Sequence, residues 1–315
     1  MIFNVNSGAG KEQISAVPAV SGSYTYNGSS QTPGWQNYDS KQLTISGSTS
    51  ATNAGTYTVY FTPKSDYEWS DGTSTPKEAK WTIAKASGSL SLSAASGTIN
   101  GKNNQKTFTV TRAGDGKISV ASSNTGVATV ALSGTTVTIT AKGYGTATIT
   151  VSVAEGTNHK APSNKTYALT VDYIYLYNAG DQKTSLTGGW DMQHAGNGTS
   201  SFASGYMNFN YKMASYCETV VRTKNKLSFP QAGCTKLKIL ADITSQINAT
   251  GYPSTFGLTG KTGVYIGLSN FSYGATWTTI GTNKTFTLDI SNASGSYYAA
   301  LSSVGVSKVY KVWLE

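Results

Sequence analysis

Residues 136–153, "TVTITAKGYGTATITVSV", alternate apolar and hydroxyl-bearing side chains along most of their length. Val137 and Ile139 stand between Thr136, Thr138 and Thr140, and Ala147, Ile149, Val151 and Val153 stand between threonines and a serine. A period of two with β-branched residues on both faces is the pattern of strands with one face in a core and the other in water. Gly143 and Gly145 flank Tyr144 at the break between the two runs, where their backbone freedom suits a tight reversal, so the segment reads as a hairpin. Shorter runs of the same kind precede it at 42–46, 55–63 and 79–84, with Gly, Ser and Asn between them. After residue 172 follow "YIYLY", "GYMNFNY", "CETVVRT", "CTKLKILADI", "GVYIGLS", "TFTLDI", "SYYAALS" and "SKVYKVWLE". These elements divide the chain into an N-terminal segment (1–13), two small units (14–85 and 86–172) and a larger unit (173–315). Strands with turns between them predict a jelly-roll or related sandwich for the larger unit, its first and last strands adjacent.

Three stretches carry resemblances to known families. "YTYNGSSQTP" (24–33), "ATNAGTYTVYFTPKSDYEWSDGT" (51–73) and "WTIAKA" (81–86) resemble the small bacterial immunoglobulin-like repeats of large adhesins and phage tail proteins. Ser123-Asn124, Val127 to Val130 and Gly143 to Val151 resemble the pattern of bacterial Ig-like domains of group 2. In the last unit, "TFTLDISNASGSYYAAL" and the closing aromatic strand resemble carbohydrate-binding jelly-roll modules in strand order. The fold class expected is therefore all-β: two small immunoglobulin-like β-sandwiches in series, then a larger jelly-roll-like β-sandwich. Trp69 and Trp81 read as core anchors of the first unit.

Composition narrows the function classes. Charged residues make up 12% of the 315, and the 20 tyrosines outnumber phenylalanine and tryptophan together. The net charge of +9 raises nucleic-acid binding, but the bases are dispersed, 13 of 24 before residue 173 and 11 after, with no block that resembles a nucleic-acid footprint. "MIFNVNSGAGKEQ" has no basic start, long apolar run or cleavage-like site, so a secretory signal is not expected, and no run approaches the roughly 20 apolar residues of a membrane helix. No membrane partner is expected. Cys217 and Cys234 are too few for a disulfide scaffold and lack the histidine partners of a zinc site; one disulfide and two buried thiols both fit. No metal or cofactor is expected.

Catalytic constellations are not legible. Asp181, Asp191, Glu218, Asp242, Asp289 and Glu315 show no spacing that singles out a glycosidase pair. No Gly-x-Ser-x-Gly elbow accompanies His194, and His159 stands beside lysine as a surface loop residue. Binding is the class that remains, and no enzyme is expected. Three long glycine-rich stretches carry aromatic tips: Trp190 with His194, Tyr252, and Tyr273 with Trp277. Sugar rings present flat C–H faces to such side chains, so Trp190, His194, Tyr252, Tyr273 and Trp277 are the candidate glycan-binding residues, with half-buried core or loop packing as the alternative for the aromatics. Arg222, Lys224 and Lys226 are two apart, which puts them on one face of a strand, and Lys236 and Lys238 repeat the spacing. Paired, the two strands would form a basic face for an anionic polymer; lysines that guard sheet edges are the alternative.

Together these features resemble a phage virion protein of tail-fibre, tail-tip or receptor-binding type. The resemblance implies a chain made in the host cytoplasm, homo-oligomeric in the virion, docked on other virion proteins through its N-terminal segment. Its terminal unit would meet a host surface glycan or wall polymer. A capsid decoration protein and a bacterial surface adhesin are the alternatives.

Overall fold

The computed structural model describes residues 10–178, 187–194, 199–203, 205–210, 219–231, 233–246, 253–261 and 270–315. The fold is all-β, its strands gathered around three successive hydrophobic cores. In the first core, Leu43, Val59, Phe61, Trp69, Trp81 and Ile83 pack under a sheet ordered Tyr24–Thr25, Lys77–Ala84, Gly55–Pro63, Leu43–Gly47. Trp81 and Ile83 face inward while Lys80, Thr82 and Ala84 face out, the alternation a half-buried strand requires. Both predicted anchors are buried, and each indole N–H finds a carbonyl: Trp69 donates to Thr75 and Trp81 to Ser48, both at 2.8 Å. Strand Glu12–Ile14 pairs in parallel with Tyr67–Trp69, so Glu12 and Gln13 belong to this sandwich. Residues 1–9 of the expected attachment segment lie outside the described residues.

The second core corrects the hairpin. Thr136–Ala141 lies in one sheet, between Gln105–Ala113 and Ala128–Ser133, whereas Gly145–Val153 lies in the other, between Ile118–Ser122 and Lys165–Asp172. The two runs face each other across the core instead of hydrogen-bonding, with Val137, Ile139, Ala147, Ile149 and Val151 buried between them. Residues 142–144 are thus an arch between sheets. Its backbone is pinned to a neighbouring loop, because the Lys142 and Gly143 amides both donate to the Val127 carbonyl, at 2.8 and 3.1 Å. Alternation reports which face is buried and not which strand is the partner, so hairpin and arch share one pattern.

The Ser-Asn pair of the group 2 resemblance serves this architecture. The Asn124 carboxamide oxygen accepts from the Gly126 and Val127 amides, and the Ser123 hydroxyl accepts from the Thr148 amide at 2.8 Å, tying loop to sheet.

Two joints connect the three cores. At the first, Asn158 accepts from the Ala54 amide at 2.8 Å and donates to Asn53, while its own amide donates to Asp115. His159 is more than a surface residue: its ring meets Tyr26 edge-on at 5.2 Å, and its Nδ1 lies 3.1 Å from Asp115. That Asp115 carboxyl is lowered to about 2, chiefly by the Asn158 amide. Lys85 adds an ion pair with Glu155. At the second joint the tip of the arch, Tyr144, packs on Tyr173 with ring centres 4.2 Å apart.

The third core is enclosed by two antiparallel sheets. The front sheet runs Thr199–Ala203, Tyr206–Asn210, Gly305–Leu314, Lys236–Gln246, Gly281–Asp289, with Ile174–Asn178 also along Gly305–Leu314. First and last strands of the unit are therefore paired, as expected. The back sheet runs Trp190–His194, Thr219–Thr223, Gly295–Ser303, Thr255–Thr259, Tyr273–Thr276, with Leu227–Phe229 also along Gly295–Ser303. The predicted strand "GVYIGLS" lies outside the described residues.

Because each core draws its buried residues from one continuous stretch, residues 14–85, 86–172 and 173–315 are expected to melt cooperatively when produced separately. Calorimetry on the three pieces checks this; a piece without a transition contradicts these boundaries.

Candidate functional site

What the front sheet presents to its surroundings is decided by strand Gly305–Leu314. Gly305, Ser307 and Val309 face the core, and then Val312 and Leu314 do. Pairing slips between Leu240↔Lys311 and Ala241↔Val309, which makes Tyr310 the extra residue of a bulge. A bulge inserts one residue and reverses the side-chain phase beyond it. Unbroken alternation would drive Lys311 and Trp313 into the core behind Val309. Instead both face out, on the side of Lys308 and Tyr310. Ile174–Asn178 bulges opposite, where Tyr175 pairs with Trp313 but Tyr177 with Val312, so Tyr175 stays half-exposed while Tyr177 is buried.

The outer face carries a band of aromatic rings. Tyr206 and Tyr310 meet edge to face at 6.0 Å. Trp313 lies between Tyr175 and Lys238 on the flanking strands, and Tyr173 lies 6.1 Å from Tyr175 and 6.0 Å from Trp313. Tyr144 of the second sandwich extends the band through its contact with Tyr173. All six rings are half-buried. Lysines interleave with them: Lys308 stands 4.8 Å from the Tyr206 ring centre, Lys311 5.7 Å from Tyr175, and Lys102 4.8 Å from Tyr144.

Polar groups on the same face are mostly fixed. Asp242 accepts from the Tyr310 hydroxyl and from the Asn283 amide, both at 2.7 Å. The phenol bond, and next the amide, hold the Asp242 carboxyl below its usual range. The same bond pushes Tyr310 up to about 12, so near neutrality a neutral phenol donates to a carboxylate and the ring is held in place. Lys238 is compensated by Glu315. Such a face can stack flat apolar surfaces and offer hydrogen bonds and positive charge between them.

The loop residues expected to bind glycan fare differently. Trp190 is 4% exposed and donates to the Leu176 carbonyl at 2.7 Å. Trp277 is 0% exposed, donates to the Thr255 and Ser302 carbonyls at 3.0 and 2.9 Å, and meets Phe209 edge-on at 5.8 Å. Neither ring has a free face, so both are core anchors and the stacking role is corrected. Tyr273 is half-buried against the same core, its hydroxyl donating to the Asn292 carbonyl at 2.8 Å. His194 ends strand Trp190–His194, with its side chain outside the description, and Tyr252 lies outside the described residues.

The expected basic face does not form. Arg222 lies in Thr219–Thr223, a back-sheet strand, whereas Lys236 and Lys238 lie in the front sheet. That strand stops at Thr223, and Lys224 and Lys226 occupy the following turn, drawn back by bonds from the Lys224 and Asn225 amides to the Gly189 and Thr187 carbonyls. Arg222 and Lys226 share the Tyr298 ring at 4.5 and 5.4 Å, Arg222 lies 3.6 Å from Asp191, and Lys224 is exposed. Cys234 is a buried free thiol, raised to about 11 chiefly by burial. Cys217 lies outside the described residues.

The aromatic band itself was missed in the sequence, although one signal was present. In "DYIYLY", Tyr173 and Tyr175 alternate with Ile174 and Leu176, which places tyrosines on the outward phase.

No protein-family model matches the chain, and no curated protein matches it. Solved structures give weak likenesses. The secreted serine protease VesC from Vibrio cholerae is 10% identical, with a TM-score of 0.26 over 87% of this chain and 51% of that one, so the chain spans about half its length. The CBM51-2 and INT domains of Clostridium perfringens ZmpB, solved with GlcNAc, are 12% identical at a TM-score of 0.22, covering 72% of this chain and 48% of that one. Yersinia pseudotuberculosis InvD is 12% identical at a TM-score of 0.23, covering 95% and 97%. At such scores these likenesses assign neither fold nor function to this chain.

Proposed function

We propose that the third sandwich is a glycan-binding module, carried on two immunoglobulin-like spacers, and that it acts by binding without catalysis. The observation that carries this reading is the band of Tyr206, Tyr310, Trp313, Tyr175 and Tyr173 on one face of the front sheet. Aromatic rings left half-exposed in a row are costly to solubility unless something covers them. A polysaccharide fits because its sugar rings offer C–H faces at intervals and hydroxyls between them, for Asn208, Asp242 and Lys308 to bond. Carbohydrate affinity electrophoresis or a glycan array, read beside thermal melts, tests the reading. Trp313→Ala and Tyr206→Ala are expected to weaken binding about tenfold while the melt stays near that of the parent. Trp277→Ala, by contrast, should destabilise the fold by about 3–5 kcal/mol, as loss of a buried aromatic does. Undiminished binding by both surface variants would contradict the assignment of the face.

The carrier we propose is a phage virion, the setting that the immunoglobulin-like series of residues 14–172 resembles, with docking through the segment before Gly10. Purified particles should then be labelled by an antibody against residues 173–315. Label confined to the bacterial surface would favour an adhesin.

A further inference from the structure

Within the glycan-binding reading, on which this step rests, we infer that the ligand is an anionic polysaccharide held across the joint between the second and third sandwiches. Lys102 and Tyr144 then belong to the same binding surface as Lys308, Lys311 and Trp313.

The first observation is an excess of positive charge along the band. Lys102, Lys308 and Lys311 each stand over a tyrosine of the band, and none has a carboxylate within ion-pair distance among the described residues. On the same face Lys238 pairs with Glu315, and Asp242, opposite Lys308 on the paired strand, accepts hydrogen bonds from Tyr310 and Asn283. Lys308 helps to lower the Asp242 carboxyl, whereas Lys102 and Lys311 stand unmatched, and such ammonium groups along a stacking surface add little for a neutral glycan. For a polymer with acidic substituents they supply cationic partners between the aromatic steps. The ammonium groups sit on flexible stems, so each can leave its ring to meet an anion while a sugar takes the ring face.

The second observation is that the band crosses the joint without a gap. Tyr144 and Tyr173 are in ring contact at 4.2 Å, and Tyr173 reaches Trp313 at 6.0 Å. Tyr310 and Trp313 are three residues apart on one strand, roughly 10 Å at strand rise. The joint itself is tight: a Cβ at Gly233 would come within 2.7 Å of the Asn103 side chain, and Gly233 holds φ +74°, a conformation that side chains rarely adopt. The second sandwich is thus seated directly on the third beside the band. A surface of this length suits the interior of a polymer rather than a single terminal sugar.

The test uses the full chain and three probes: polygalacturonate, its fully methyl-esterified form, and a phosphomannan. Binding to at least one anionic probe is expected, at least about tenfold tighter than to the methyl ester, and falling as salt is raised. Whichever anionic probe binds tighter supports the inference and names the anion as carboxylate or phosphate. Lys102→Met, Lys308→Met and Lys311→Met should each weaken anionic binding, by up to about fivefold, with the melt unchanged. The Lys102→Met effect is decisive, since that residue lies in the other sandwich. Equal binding of the methyl ester, or anionic binding indifferent to all three substitutions, would overturn the inference. If neutral glycans bind and depend on Trp313 but not on the lysines, the face stands as a glycan site and its anionic character falls. If no polysaccharide binds, both fall.

Discussion

The front sheet of the third sandwich depends on the hydrogen bonding of a single strand. Gly305–Leu314 pairs along one edge with Lys236–Gln246 and along the other with Ile174–Asn178 and Tyr206–Asn210. Without it the sheet would separate into unconnected pieces. Its bulge sets two things together: Val309 and Val312 both reach the core, and Tyr310, Lys311 and Trp313 all reach the outside. Core packing and the composition of the outer face are therefore consequences of the same backbone irregularity.

The arch in the second sandwich serves that face from a distance. Because residues 142–144 cross between sheets, Tyr144 projects from the end of the sandwich toward the next core. There it meets Tyr173, which directly follows the last strand of the second sandwich, Lys165–Asp172. The arch is pinned by hydrogen bonds from the Lys142 and Gly143 amides to the Val127 carbonyl, so the ring is presented by a fixed backbone. With polar contacts at the other joint through Asn158 and an ion pair from Lys85, the three units follow one another with almost no free linker. A short connection with side chains interlocked at both ends restrains the orientation in which the terminal face is displayed.

How much of this could be read from the chain follows from what alternation encodes. Strand and core face are written in side-chain polarity, so the all-β class, the Trp69 and Trp81 anchors and the adjacency of first and last strands were legible. Strand partnership is not encoded locally, and residues 136–153 read as a hairpin although they form an arch. Bulges are equally silent: unbroken alternation in "SKVYKVWLE" places Trp313 inward and hides the aromatic band. The glycine-rich surroundings of Trp190 misled in the opposite direction. Gly188 and Gly189, at φ 63° and 98°, turn the chain into a strand whose first residue is core, and Trp277 follows Tyr273–Thr276 directly into the same core. Tryptophan near flexible backbone suggested a platform, but its size and its indole donor were satisfied inside.

A bound polysaccharide is predicted to meet the outer face of the front sheet and not the surroundings of Trp190 and Trp277. Indole N–H resonances of the six tryptophans give a direct readout, followed by heteronuclear NMR as a binding polysaccharide fragment is titrated into labelled protein. The Trp313 resonance is predicted to shift with the titration while those of Trp190 and Trp277 stay in place. A stationary Trp313 signal with movement of Trp190 or Trp277 would contradict the account.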